Sequence, residues 1–252
     1  MYHNRIIPCL LLRDHGLIKT IKYKGGRYLG DPINAIKIYN DCEVDELIIL
    51  DIDATKEHRS PDFEYLKKLT QQCFMPVCYG GGITSVDTVK RLFELGIEKV
   101  SVNTSLYDNP NMVKECVALF GSQSIVASVD LKRDKSGNVS AWIKNGTELI
   151  KEDAFEYMKH IEEDGVGEVF INFIDHDGMM DGYDYEVISR ISKHISVPLI
   201  VCGGASSTND CKKAIDVGAS AAAAGSIFVF WGRNKAVLIN YPDKEEIEKL
   251  FL

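Results

Sequence analysis

The 252-residue sequence contains no apolar run that reaches about 18 residues, the length that a helix needs to span a bilayer. Its first residues, MYHNRIIPCLLL, form too short an apolar segment with too polar a flank for a secretory signal peptide. We therefore expect neither a membrane-spanning segment nor a secretory leader, and we expect a cytoplasmic protein.

Paired cysteines and clustered histidines are also lacking. The seven cysteines are odd in number and form no CxxC pair, so free thiols in a reducing compartment explain them better than disulfides or zinc. Cys9 and Cys202 fall in strand-like runs, where we expect small buried thiols rather than nucleophiles. No metal site and no other cofactor is expected, because the six histidines lack tight ligand spacing: His3, His15, His58, His160, His176 and His194.

Positive charge is scarce. Lys and Arg number 29 against 37 Asp and Glu, which gives a net charge of −8 and a sequence pI of about 5.3. This balance argues against nucleic acid or an anionic membrane as a partner, although a small anion site is compatible with it. Hydrophobic residues make up 45% of the chain, enough for a full core. The length suits one large barrel, so we expect a single domain over residues 1–252.

Eight short apolar runs alternate with amphipathic helical stretches. Near-continuous apolar runs are typical of strands in a buried parallel sheet. Eight β-then-α units without a Pro/Gly/Ser linker predict an α/β fold, the (β/α)8 TIM barrel, with a short hairpin inserted at residues 132–148. A doubly wound open sheet is the alternative. The predicted strands cover residues 5–11, 46–53, 76–82, 99–104, 124–130, 168–175, 198–204 and 221–226.

The two halves of the chain resemble each other. LIILDID (47–53) is similar to VFINFID (169–175), YGGGITS (79–85) to CGGASST (202–208), and VSVNTSLY (100–107) to AAAGSIFV (222–229). Gly204 follows Gly82, and Ser226 follows Thr104, at the same offset of 122 residues. The repeat predicts two similar half-barrels with two related sites.

Glycine and hydroxyl residues recur where function gathers in a TIM barrel, at the C-terminal ends of the strands. Glycines allow close backbone approach to an anion, and N–H groups and hydroxyls then bind it. Tight βα turns alone would also use these glycines. Two copies at matched positions favour two phosphate sites and a ligand with a phosphate at each end. The candidate residues are Gly82, Asn103 and Thr104 in one half, and Gly203, Gly204, Gly225 and Ser226 in the other.

Acidic residues follow several of the same strands. They can serve as general acids or bases or bind sugar hydroxyls, and capping or solvation is the alternative. Asp130 is the best candidate for chemistry because it follows the apolar run IVASV, and Asp177 with Gly178 fits the second phosphate loop. The full set is Asp51, Asp53, Asp130, Asp175 and Asp177.

Two further groups of charged residues belong to other parts of the predicted barrel. Loop 13–30 is rich in Lys, Arg and Gly, which predicts either a mobile cationic lid or a solvated loop, with Lys19 as the ligand contact. The predicted strands start with charges that could form a neutral ring at the barrel bottom, for stability or as a gate. These residues are Arg5, Glu46, Lys99 and Glu168.

Over nearly its whole length the chain resembles the cyclase subunit of imidazole glycerol phosphate synthase, the HisF family. The matching stretches are RIIPCL, GDP (30–32), DELIILDI, GGGI, VSVNTS, GSQ (121–123), VDLKR, ID-x-DG (174–178), GYD (182–184), GGA (203–205) and AGSIF. The resemblance implies a (β/α)8 barrel, the two phosphate sites above, and a HisH-like glutaminase on the N-terminal barrel face. It also implies that ammonia crosses the barrel past a gate matching the four charged residues.

One departure from the family stands at the end of the first strand. The family uses two aspartates as general acid and base; one matches Asp130, and the other falls on Leu11. General acid–base catalysis contributes about 10²–10⁴-fold, so we expect impaired cyclisation. Asp14 could substitute only from a displaced position. Strand 6 differs at Asn172 and Phe173, and Leu11 with Met179 predicts a more apolar pocket.

Three functions remain open. The chain looks closest to diverged subunits associated with amidation of bacterial surface sugars, which implies ammonia delivery from a glutaminase to a separate ATP-dependent amidotransferase that forms acetamidino sugars. The second is a working cyclase of histidine biosynthesis with a relocated acid. The third is a barrel that only binds a phosphorylated small molecule and regulates a partner.

Overall fold

A computed structural model describes residues 4–252, and His3 therefore lies outside the described residues. Eight parallel strands close into a barrel. The barrel strands are β1, β4, β5, β6, β7, β10, β11 and β12 of the following set. The strands are β1 (Arg5–Arg13), β2 (Gly16–Ile21), β3 (Lys24–Gly30), β4 (Leu47–Asp51), β5 (Val77–Gly80), β6 (Lys99–Val102), β7 (Ile125–Arg133), β8 (Val139–Ile143), β9 (Glu148–Leu149), β10 (Glu168–Phe173), β11 (Leu199–Cys202), β12 (Ala221–Ala224), β13 (Phe230–Trp231) and β14 (Ala236–Val237).

Closure of the barrel is visible in the strand pairing. Strand β1 pairs in parallel with both β4 and β12, and β7 pairs in parallel with β10. This circle of pairs confirms the predicted TIM barrel and excludes the open sheet. The half-barrel repeat is confirmed as well: β4, β5 and β6 of the first half correspond to β10, β11 and β12 of the second.

Helices follow the barrel strands and surround the barrel. Most begin at a side-chain cap that the sequence supplies; Asp31 and Asn109, for example, each cap a helix that starts with proline. No helix in the described part of the chain is long and apolar enough to cross a membrane. The α-helices are α1 (Pro32–Asp41), α2 (Phe63–Thr70), α3 (Val86–Glu94), α4 (Thr104–Asp108), α5 (Pro110–Phe120), α6 (Ala154–Glu163), α7 (Tyr185–His194), α8 (Thr208–Asp216), α9 (Ser226–Val229) and α10 (Lys244–Leu250), and a 3₁₀ turn covers Ser122–Ser124.

The core has two parts because strand residues alternate between the two faces of the barrel wall. On β1, Ile6 and Leu10 pack outward against the helices, whereas Ile7 and Cys9 point into the barrel. The inward set is mostly small or aliphatic, which leaves the barrel filled rather than open. Its buried members are Ile7, Cys9, Ile48, Cys78, Val126, Phe170, Ile200, Cys202, Ala221 and Ala223.

Two antiparallel hairpins stand on the C-terminal end of the barrel. The one predicted at 132–148 is confirmed, since β8 pairs with β7 and β9. The segment 13–30, expected as a mobile cationic lid or a solvated loop, is a hairpin in which β2 pairs with both β1 and β3. Local patterns did not indicate this pairing, because the turn between β2 and β3 consists of Lys22 and Tyr23, which are not typical of tight turns.

The loop that follows β5 packs against the end of β4, and this contact gives a stability prediction. Gly81 has φ +120° and an added Cβ would collide with the backbone oxygen of Asp51, whereas Gly25 has φ +67° with open space around it. We expect Gly81→Ala to lower the free energy of unfolding by about 2–4 kcal/mol and Gly25→Ala by about 1 kcal/mol. Urea unfolding of both variants measures the difference, and equal losses would contradict the packing at Gly81.

Candidate active site

A cavity of about 520 Å³ opens at the C-terminal ends of the barrel strands. That volume suits a small phosphorylated metabolite. Ser101, Ser128 and Asn172, which point inward from β6, β7 and β10, form part of its lining. Within the described chain, Ser101 Oγ and Asn172 Oδ1 are buried without a hydrogen-bond partner. Buried polar atoms of this kind are costly to leave unpaired, so they mark a position where a polar ligand can bind.

Asp130 lies in the cavity wall at the end of β7 and is 7% exposed. Tyr23 Oη donates a hydrogen bond of 2.6 Å to its carboxylate, and Asn103 Nδ2 donates a longer one of 3.4 Å. Burial raises the pKa of Asp130 to about 7, although the Tyr23 hydrogen bond lowers it and the charge of Asp177 adds to the rise. A carboxyl group with a pKa near neutrality can exchange a proton under physiological conditions.

At the position where the sequence analysis expected no second acid, the cavity is lined by the hydrocarbon side chain of Leu11. Leu11 ends the inward row of β1, is 8% exposed, and lines the same cavity as Asp130. Asp14 does not replace it, because Asp14 lies in the exposed turn between β1 and β2 and borders a separate surface cleft. The group that contacts Asp130 is the Tyr23 phenol, which the sequence reasoning did not single out.

The first predicted phosphate loop faces the cavity. Gly82, Asn103 and Thr104 all line it, and α4 starts at Thr104 without a side-chain cap, which leaves backbone N–H groups available. Two cations that sequence reasoning missed, Arg59 and Lys144, also line the cavity. Their proximity could not be inferred from local patterns, because Lys144 arrives from the β8–β9 turn, where its N–H donates to Thr104 Oγ1 at 3.3 Å.

Asp51 also lines the cavity, but its carboxylate is already engaged. It forms a bidentate ion pair with Arg59 at 2.7 and 2.8 Å and accepts a hydrogen bond from the Ala54 N–H. This arrangement orients Arg59 at the cavity edge. Asp51 is therefore placed to position a cation rather than to meet a ligand with a free carboxylate.

The second predicted phosphate loop is assembled but covered by the β2–β3 hairpin. Lys19 Nζ forms an ion pair of 2.5 Å with Asp177, and Thr20 Oγ1 donates to the same carboxylate at 2.6 Å. An added Cβ at Gly225 would lie 3.5 Å from Lys19 Cε, and one at Gly178 would collide with the Thr20 oxygen. Of this loop, Asp177 borders the cavity, whereas Gly178, Gly203, Gly204, Gly225 and Ser226 do not.

Several other predicted positions lie elsewhere. Asp53 forms an ion pair with Arg13, and Asp175 accepts from the Arg133 N–H. Met179 is 38% exposed and does not line the cavity with Leu11, so the expectation that these two residues share an apolar pocket was wrong. The loop after β10 turns Met179 outward, away from this cavity. Residues 4–252 contain no cluster of three or more His, Cys, Asp or Glu side chains that could bind a metal ion.

At the opposite end of the barrel, the four predicted charges meet in a closed ring. Arg5 contacts Glu46 and Glu168 at 2.6 Å each, and Lys99 contacts the same glutamates at 3.2 and 2.9 Å. Burial disfavours the charged forms of Arg5 and Lys99, but the two glutamates outweigh it and raise both pKa values. Arg5 and Lys99 therefore stay charged near neutral pH, and the ring spans the N-terminal entrance of the barrel.

Comparison with known proteins identifies relatives along the whole barrel. The profile of the histidine biosynthesis protein family matches residues 5–233. A Pseudomonas aeruginosa protein, provisionally named imidazole glycerol phosphate synthase subunit hisF2, is 45% identical over 249 residues, 98% of this chain and 99% of its own. A Vibrio vulnificus protein, provisionally named hisF3 of the same synthase, is 44% identical over 99% of this chain and 96% of its own.

Firmly named synthase subunits are more distant. Imidazole glycerol phosphate synthase subunit HisF of Alkaliphilus metalliredigens is 36% identical over 229 residues, 90% of this chain and 91% of its own. Identity at this level over such coverage leaves no doubt about the relationship. The chain therefore belongs to the histidine biosynthesis protein family, in which it is a HisF-like synthase subunit.

Proposed function

We propose that this HisF-like subunit, a single phosphate-binding barrel over residues 1–252, accepts ammonia from a HisH-like glutaminase at its N-terminal face. The barrel conducts the ammonia to the cavity at its C-terminal face, and its own cyclase chemistry is reduced. The observation that carries this proposal is the closed ion ring across the barrel entrance.

The ring is built so that one side can open. Arg5 bridges both glutamates by itself, so Lys99 can swing away without leaving Glu46 and Glu168 without a cation. Lys99 is the side that can open, because its ammonium on a four-carbon stem reorients more freely than the planar Arg5 guanidinium.

Behind the ring the inward side chains suit the passage of ammonia. Cys78, Ala221 and Ala223 are small, and they precede the polar residues Ser101 and Asn172 at the cavity. The unpaired Asn172 Oδ1 can accept a hydrogen bond from ammonia, and Ser101 Oγ can donate or accept one. This order leads from a charged entrance, through an apolar layer that also contains Ile48 and Phe170, to the polar atoms at the cavity floor.

The reduced cyclase activity follows from Leu11. Asp130 has the buried position and the raised pKa of an acid–base group, but Leu11 offers no proton donor or acceptor beside it. We propose that the ammonia serves a separate ATP-dependent amidotransferase that forms acetamidino groups on surface-glycan sugars. This last step rests on the resemblance to subunits associated with sugar amidation.

A working cyclase of histidine biosynthesis is the second candidate, and one observation favours it. The Tyr23 hydroxyl lies 2.6 Å from Asp130 and could act as the second proton-transfer group. However, burial and the Asp130 charge raise the pKa of Tyr23 well above its ordinary value, which makes the phenol a weak acid at neutral pH. We therefore prefer the ammonia-conducting function.

Restoring the missing carboxylate tests the cyclase. With ammonia and the ribonucleotide substrate of the histidine pathway, we expect the native chain to form imidazole product at least about 100-fold more slowly than HisF enzymes, and Leu11→Asp to raise the rate about tenfold or more. Leu11→Asn, which has the shape of aspartate at the same position but no titratable carboxyl group, serves as the control. Product formation by the native chain at HisF-like rates would overturn the reduced-cyclase proposal.

Mixing the chain with its cognate glutaminase tests the ammonia function. We expect a complex on a sizing column and stimulation of glutamine hydrolysis by roughly tenfold, within the usual range of coupling between sites. Lys99→Met should reduce that stimulation severalfold because it removes one side of the ring. Lys90→Met, at an exposed helix position, should leave it unchanged. Absence of both complex and stimulation would favour the regulatory barrel instead.

The titration of Asp130 can be measured directly. Carboxyl ¹³C NMR of the native chain should show Asp130 titrating near pH 7, and Tyr23→Phe should raise that midpoint because the phenol hydrogen bond stabilises the carboxylate. Since the folded pKa exceeds the unfolded value, the free energy of unfolding should fall as pH rises from about 4 to 7. In Asp130→Asn this component should disappear, and an unchanged pH profile would contradict it.

A further inference from the structure

We propose that the cavity takes a ligand with a single phosphate, whose other end is uncharged and donates hydrogen bonds. This inference rests on the phosphate binding contained in the proposed function, and it departs from the two-phosphate ligand that the half-barrel repeat predicts. It follows from what covers the second glycine loop and from what remains unpaired in the open half of the barrel mouth.

The second glycine loop is covered at Gly225 by the chain's own cation, Lys19. The Lys19–Asp177 ion pair is nearly buried, with the two side chains 10% and 6% exposed, and the Lys19 methylenes lie against Gly225. A second phosphate would have to take Lys19 from a carboxylate at 2.5 Å and then face that carboxylate's uncompensated charge. The position that a second anion would use is therefore already neutralised internally.

Two hydrogen bonds, donated by Lys22 and Tyr23, hold the β2–β3 hairpin over the second glycine loop. Lys22 and Tyr23 form the two-residue turn between β2 and β3 with φ values of +52° and +62°, a conformation that favours glycine or asparagine. Bulky residues persist in such a turn only where the surroundings hold them. Here Lys22 N–H donates to the Asp177 backbone oxygen at 2.9 Å, and Tyr23 Oη donates to Asp130.

The first glycine loop, at Gly82 and Thr104, instead faces the open cavity. Arg59 and Lys144 line one end of it beside Gly82 and Thr104, and they pair with Asp51 and Glu148. Their side chains are 34% and 42% exposed, against 10% for Lys19, so a phosphate can contact these two cations without breaking a buried ion pair. Ser101 Oγ and Asn172 Oδ1, both at least nine-tenths buried, remain unpaired at the other end. An acceptor such as Asn172 Oδ1 requires a donor, which a hydroxyl or amino group supplies and a second phosphate dianion does not. A sugar monophosphate has this distribution of groups.

The test is titration calorimetry on the full chain at pH 8, where Asp130 is ionised. The probes are inorganic phosphate, ribose 5-phosphate and ribulose 1,5-bisphosphate. We expect one phosphate group bound per chain, and similar affinities, within about threefold, for the monophosphate and the bisphosphate. Thr104→Val should weaken ribose 5-phosphate about tenfold, and Ser226→Ala, the matched position in the covered loop, should not weaken it.

Tyr23→Phe provides an independent arm of the test. Loss of its hydrogen bond to a carboxylate should let the hairpin open more often, so the affinity for the bisphosphate should rise about tenfold while that for inorganic phosphate stays the same. A native chain that binds the bisphosphate tenfold tighter than the monophosphate, or that Ser226→Ala weakens as much as Thr104→Val, would overturn this inference alone. If none of the three probes binds, the phosphate part of the proposed function fails with it.

Discussion

The alternation of residues across a closed barrel wall is the constraint on which the rest of this structure depends. Every second side chain of each strand points into a narrow interior, so three or four residues per strand determine whether that interior is charged, apolar or polar. On β10 these are Glu168, Phe170 and Asn172, which lie in the ion ring, the apolar layer and the polar cavity. A shift of one residue in register would move all three functions to the helix-covered face.

This constraint also explains why the two ends of the barrel differ. The ion ring can exist because four strands place long charged side chains at the same level, where each carboxylate meets both cations. One level up, the interior is apolar, and charge could not be kept there without pairing. The apolar layer therefore disfavours an unpaired ion between the ion ring and the cavity.

Sequence alone could predict the elements that depend on regular geometry. The barrel, the convergence of Arg5 with Lys99, and the exposure of Thr104 to the mouth all follow from strand ends that meet at one edge. The hairpin contacts could not be predicted, because the pairing of Lys19 with Asp177 depends on two turns whose residues are not typical of turns. Tyr23 was missed for the same reason: nothing local in IKYKG indicates a contact with Asp130 more than a hundred residues later.

The hydrocarbon side chain of Leu11 beside the same cavity limits what Asp130 can do. A buried carboxyl group with only Tyr23 and Asn103 as hydrogen-bond donors has no partner that changes charge near neutral pH, since the pKa of the phenol is raised further by its own burial. Asp130 can therefore gain or lose a proton by itself, but it cannot relay one to a second group in the same step. Ring closure with acid and base acting together needs that second group, whereas holding a ligand and admitting ammonia beside it does not. The same phenol that donates to Asp130 also anchors the hairpin over the second glycine loop, so the state of Asp130 and the width of the barrel mouth are linked through one side chain.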